Sequence, residues 1–227
     1  MRRVNYSILN AKYSKIGKGN VRLTQSSLFL TKPISSTVTT YNFDVLETQT
    51  QTLQNDEIRL NLNDEFNITA IGLYLVGTVQ DAEGTLASNT KLFTYAPYQL
   101  GVANATRLQN FYAGTFKIAI NNIVYMEKWD TARHENVTRT QFQNFLTPNS
   151  ATINSQNLAK DSMFDLANII TLSGAKKNDL TIQLPTAISN GSFTFIDDLN
   201  VTNTITINRV ACRLFGFNAQ NAASFQR

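Results

Sequence analysis

From about residue 20 to the end of the chain, apolar and polar positions alternate in short runs rich in Val, Ile, Thr, Phe and Tyr. That period of two marks strands with one face in a core and the other in water. Apolar spacings of three and four, the mark of helices, are scarce. The runs predict strands over 21–30, 38–46, 57–62, 67–79, 91–95, 114–119, 123–127, 169–172, 180–184, 192–196 and 204–215. Turn formers stand between them, among them Asn55-Asp56, Asn63-Asp64, Asn121-Asn122, Gly174 to Asn178, and Asp197-Asp198. The pair Asn190-Gly191, flanked by β formers, predicts a two-residue hairpin. The chain reads as all-β.

Two stretches interrupt this pattern. Residues 103–111 suit a short helix or a loop, and 155–167 carry Leu158, Met163, Phe164 and Leu166 at spacings a short helix could use. Pro148, in Leu146-Thr-Pro-Asn-Ser150, marks a linker between two β units. The expected organisation is a basic amino-terminal arm over 1–20, a first β-barrel over 21–147 and a second over 148–227. A weak internal echo agrees with two units: an Asn-Asp turn opens a short alternating strand at Asn55 and again at Asn178, and a long strand closes at Gly77 and again at Gly216.

At 227 residues the chain is long enough to bury about 70% of its unfolded surface without a staple. The single cysteine, Cys212, lies in an apolar run and reads as a small buried hydrophobe. Asn and Thr each make up roughly a ninth of the chain, while charged residues are only 16%. A surface wet by amides and hydroxyls, with little charge to keep neighbours apart, suits a protein that packs against copies of itself better than a soluble enzyme. The start of the chain shows no secretory signal, and no run approaches the roughly 18 apolar residues of a membrane span, so synthesis in a cytoplasm without export is expected. The six Asn-x-Ser/Thr triplets follow from abundant Asn and Thr and are not read as glycosylation sites.

Charge is unevenly placed. Residues 1–43 hold seven cations and no acid, so the rest of the chain is net −3 against the overall +4. A basic, glycine-containing arm bearing Arg2, Arg3, Lys12, Lys15, Lys18 and Arg22 can meet phosphate, of packaged nucleic acid or of lipid headgroups. A simply solvated terminus is the alternative.

No constellation specifies a reaction. His134 is the only histidine, and its setting Asp130, Arg133, Glu135 reads as a charged loop rather than as a triad. One His and one Cys do not make a zinc site. The acid pairs Asp56-Glu57, Asp64-Glu65 and Asp197-Asp198 fall in turns, where neighbours point apart into water. Gly17-Lys-Gly19 is no phosphate loop. Trp129 with Tyr95, Tyr98, Phe111 and Tyr112 could stack on a sugar or a base, but packing is the simpler use. The chain is read as a non-enzyme with no catalytic residue, no metal and no cofactor.

The basic arm, the strand ending Ile71-Gly-Leu-Tyr-Leu-Val-Gly, the segment Gly114-Thr-Phe-Lys-Ile-Ala-Ile-Asn-Asn, and Leu172-Ser-Gly-Ala-Lys-Lys-Asn-Asp-Leu-Thr-Ile-Gln-Leu-Pro together resemble capsid proteins of small icosahedral phages. The nearest family is the double jelly-roll major capsid proteins of tailless, membrane-containing bacteriophages. The resemblance implies two upright antiparallel jelly-roll barrels per chain, homotrimeric capsomers, and an amino-terminal segment facing the viral interior. Eleven strands against about sixteen for two barrels keep a single jelly roll with insertions open. The expected function is thus a viral structural protein, a subunit that self-assembles into a phage shell. It would reside in the virion, with copies of itself and other virion proteins as partners and membrane or genome beneath the arm. The runner-up is a phage fibre, decoration or glycan-binding β-sandwich module, and a carbohydrate-active enzyme stands third.

Overall fold

The computed structural model describes residues 2–15, 21–47, 57–80, 86–93, 101–135, 163–196 and 202–223. It is an all-β structure with two helices among these residues. Helix α1 (Arg2–Lys15) precedes β1 (Arg22–Pro33), β2 (Thr40–Phe43), β3 (Glu65–Gln80) and β4 (Leu86–Phe93). Helix α2 (Gly101–Tyr112) follows, then β5 (Thr115–Ile120), β6 (Ile123–Asp130), β7 (Phe164–Ser173), β8 (Asn178–Gln183), β9 (Gly191–Ile196) and β10 (Thr202–Gln220).

The strands form two antiparallel sheets. In the first, β10 lies between β1 and β3, Cys212 facing Leu30 on one side and Leu73 on the other. The outer positions change partner half-way: β3 pairs β7 over Glu65 to Ile71 and β4 over Leu75 to Gln80, while β9 takes over from β1 alongside Thr202 to Ile207. The second sheet runs β2-β8-β5-β6. Alternation decides which side chains meet between the sheets. Val210, Cys212 and Leu214 of β10 and Leu28 and Leu30 of β1 join Phe116, Ile118, Leu180 and Ile182 of the second sheet in one core. Leu108, Phe111 and Tyr112 of α2 enter the same core, and the Tyr112 hydroxyl donates to the Leu73 carbonyl at 3.0 Å.

The boundary expected at 148 does not separate the described strands. β1 and β3 pair β10, β3 pairs β7, and β2 and β5 pair β8, so strands from either side of that position share both sheets and one core. The echoing strands closed by Gly77 and Gly216 are each other's central partners rather than the same strand of two barrels. Pro148 itself lies outside the described residues.

Local expectations fared unevenly. Asn121 and Asn122 make the β5–β6 turn with φ of 49° and 65°, the left-handed pair of a type I′ hairpin. Asn190-Gly191 makes no hairpin: Gly191 opens β9, which pairs β10, while β8 pairs β2 and β5. Residues 103–111 are helical, but Phe164 to Ala167 belong to β7 and not to a helix. Residues 57–60 form a strap instead of a strand. Ile58 and Phe29 exchange 2.9 Å backbone hydrogen bonds, while Leu60 N donates to Val45 O at 2.7 Å and Glu47 N to Leu60 O at 2.9 Å. This segment joins the edge of one sheet to the chain leaving the other, so neither offers it a full ladder.

Connections 34–39, 81–114, 131–163 and 184–201 leave from one end of the sandwich, and 44–64, 121–122 and 174–177 from the other. β4, α2 and β9 therefore all elaborate one end. At the opposite end the β5–β6 and β7–β8 turns are laced together, Asn121 N donating to Lys177 O at 2.9 Å and Lys177 N to Asn121 Oδ1 at 3.0 Å.

Candidate functional site

Helix α1 lies on the outer face of the first sheet. Its buried stripe is short: Leu9 and Tyr13, one turn apart, pack on Ala219 and Ala222, with Val21, Leu23, Ile169 and Phe217 around them. Tyr6 adds a tilted ring contact to Phe217 at 5.8 Å. Beneath the helix the sheet is polar. Outward positions of β3 place Glu65 and Asn67 there, 1% and 0% exposed, and the Tyr13 hydroxyl donates to Glu65 Oε2 at 2.7 Å. Asn67 Nδ2 donates to the same hydroxyl at 3.1 Å and to Phe217 O at 3.3 Å, and its Oδ1 accepts from Thr171 Oγ1 at 2.9 Å. Burial, reinforced by the bond to Glu65, pushes the Tyr13 phenol well above its ordinary value.

Of the expected contact residues, Arg2, Arg3, Lys12 and Lys15 all fall within α1, which carries no acid. Lys12 is exposed, its Nζ 5.0 Å from the Tyr13 ring centre and 3.5 Å from Thr171 Oγ1. Arg22 is the first residue of β1, opposite Gln220, and Lys18 lies outside the described residues. The sequence reading missed Glu65, Asn67 and Thr171 as the seat of the helix. The signal was present: Glu65 and Asn67 take alternate positions in a strand whose other face is wholly apolar.

His134 is built into the structure and is not poised for proton transfer. It ends the 3-10 turn Thr131–His134, is fully buried, and its Nε2 accepts a 3.0 Å hydrogen bond from Trp129 Nε1. That bond occupies the lone pair a general base would need. Phe164 of β7 stands edge-on to Trp129 at 5.3 Å, and the Arg133 guanidinium lies 4.9 Å over the same ring. Trp129 is thus engaged within the chain, tying β6 to β7 across the two sheets. Phe111 and Tyr112 are core residues, while Tyr95 and Tyr98 lie outside the described residues.

Of the acid pairs, Asp64-Glu65 is split by its surroundings. Asp64 accepts from Asn221 N at 2.9 Å and Asn218 Nδ2 at 3.0 Å, closing the end of β10, while its neighbour Glu65 turns under α1. Glu57 accepts from Thr31 N at 3.0 Å and Oγ1 at 2.6 Å and pairs with Arg59 at 3.1 Å, a largely buried network that fastens the strap. Asp56, Asp197 and Asp198 lie outside the described residues. Cys212 is fully buried, and burial raises its thiol far above the ordinary range, which keeps it protonated and inert. Among the described residues no group of three or more His, Cys, Asp or Glu is placed to hold a metal ion, and no helix is long and apolar enough to cross a membrane.

No protein-family profile, no curated protein and no solved structure matches the chain.

Proposed function

We propose that this protein is a viral structural protein, a shell subunit of a tailless bacteriophage whose work is done by its interfaces. The observation that carries the reading is the nested strand pairing. With β4 and β9 set aside as additions at one end, eight of the described strands remain in the pairs β1/β10, β2/β8, β3/β7 and β5/β6, wrapped into the sheets β1-β10-β3-β7 and β2-β8-β5-β6. This arrangement supports a single antiparallel jelly roll with insertions over two barrels, and jelly rolls serve as capsid walls. Fold alone does not fix function, since lectins use the same wrap. The amide-rich, charge-poor composition and the acid-free helix α1 add weight to a subunit that packs against its copies with a basic segment toward membrane or genome.

In this reading the protein is no enzyme, takes no cofactor, assembles as trimers, and resides in the virion after synthesis in the host cytoplasm. Sedimentation and electron microscopy of the purified protein over a range of concentration and salt test it. Trimers or closed particles are expected, and a monomer under every condition sinks the proposal.

A further inference from the structure

The outer face of the first sheet holds a cation, Arg213, for which the described residues provide aromatic neighbours but no carboxylate. Arg213 stands on β10 between Cys212 and Leu214, both core residues, so its own side chain leaves by the opposite face. Phe29 is its direct neighbour on β1 and Phe215 follows two residues along β10, with the guanidinium carbon 6.0 Å and 4.8 Å from their ring centres. On the third side its neighbour on β3 is Gly72, where any Cβ would collide with the Tyr74 hydroxyl and the Met163 sulfur. Aromatic rings and a crowded glycine fix the guanidinium in place.

Its hydrogen bonds are not fixed with it. Nε is buried with no acceptor, and among the described residues Arg213 has neither a hydrogen-bond acceptor nor a carboxylate partner. Arg213 as a whole is half-buried, so its side chain is not sealed from solvent. Of the described carboxylates, Glu65 is committed to Tyr13 and Glu57 to Thr31 and Arg59, and Asp165, exposed on β7, forms no ion pair with Arg213. A half-buried guanidinium held by its faces, with no described acceptor at its fork, suits a group with two oxygens in one plane.

We propose that Arg213, gripped by Phe29 and Phe215, anchors an oxyanion seat that takes a carboxylate or phosphate group through its two Nη atoms. The oxyanion can be a free one or an Asp or Glu side chain of a second copy, for which the net −3 of residues 44–227 supplies candidates. The seat belongs to the single subunit and stands apart from the question of shell assembly.

Thermal unfolding in chloride, acetate and inorganic phosphate at matched ionic strength reads the free-anion source. The midpoint of the wild-type protein should rise in acetate and phosphate over chloride, because a ligand that binds only the folded state stabilises it. Arg213→Met, which fills the space between the rings without charge, should lose the increment. Arg213→Lys, which keeps the charge but not the fork, should bind at least about tenfold more weakly. Sedimentation velocity reads the other source: self-association in chloride, absent in Arg213→Met and dissolved by phosphate, assigns the oxyanion to a second copy. Circular dichroism establishes that both variants fold. The proposal is overturned if the wild type and both variants respond alike to all three anions and sediment alike. A chain that never assembles yet binds phosphate through Arg213 would remove the shell reading and leave this one.

Discussion

The Tyr13 hydroxyl, near the end of α1, donates a 2.7 Å hydrogen bond to the carboxylate of Glu65, the first residue of β3. A helix in which Leu9 and Tyr13 are the buried side chains among those described is therefore held as much by a polar anchor as by apolar contact. Tyr13→Phe keeps the ring and removes the donor from a buried carboxylate, at a cost of about 1–3 kcal/mol. Leu9→Ala should cost about 2–4 kcal/mol. Urea midpoints measure both, and hydrogen exchange should show α1 amides losing protection before those of β3 and β10. Equal loss across helix and sheet would mean that α1 is not a separate unit.

Deleting residues 1–20 should leave the β body folded, because the main core contains none of them. It should also lower the unfolding temperature, since Leu23, Phe217, Ala219 and Ala222 lose their cover. Under the shell reading, particle yield or membrane and genome attachment falls as well. Unchanged yield and composition would refute a role for the arm.

Burial raises the phenols of Tyr13, Tyr74 and Tyr112 and the thiol of Cys212. In the unfolded chain these groups ionise near their ordinary values, 10.0 for Tyr and 9.0 for Cys. Above those values the unfolded state sheds protons that the folded state keeps, so their contribution is intact below about pH 9 and falls as pH rises. Urea unfolding from neutral pH to about pH 11 should show that decline, with tyrosinate absorbance from the buried phenols appearing together with loss of β circular dichroism. Stability constant across that range would contradict the burial of these side chains.

Trp129→Phe keeps an aromatic ring against Phe164 and Arg133 but removes the N–H that His134 Nε2 accepts. The expected loss is about 1–2 kcal/mol, or roughly 2–8 °C in the unfolding midpoint. Unchanged stability would show that the Trp129 N–H contributes nothing to holding β6 on β7.

Gly216→Ala should be among the most damaging small substitutions. Gly216 lies at a register shift between β10 and β3, and a Cβ there would run into the backbone carbonyl of Asn67. With no flexible side chain to give way, the two central strands must separate locally, costing about 3 kcal/mol or more. Ser192→Ala, which loses one exposed hydroxyl contact with Thr206, should stay within about 0.5 kcal/mol. Comparable midpoints for the two variants would rule out a tight β10–β3 crossing at this point.

Most strands were legible because alternation is written into neighbouring residues. Those of β3, β5, β6 and β10 appear in the sequence within a few positions of where they stand. α1 was not legible as a helix, because its stripe consists of Tyr6, Leu9 and Tyr13 among cations and amides. That pattern gains meaning only when Ala219 and Ala222 lie beneath it. Asn190-Gly191 misled for the complementary reason: its local preference for a hairpin is worth less than the ladder β9 makes with β10.

The sequence by itself determined the all-β class, the core role of Cys212, and the concentration of charge in the first residues, since each depends on residue type and near neighbours. The core shared by the two sheets, the β10–β3 centre of the first sheet, the splitting of Asp64 from Glu65 and the seating of Arg213 against Phe29 and Phe215 were decided by tertiary structure. Those features depend on which strand lies beside which, and strand partners far apart in the chain are chosen by packing and hydrogen bonding across the whole fold. No local period encodes that choice.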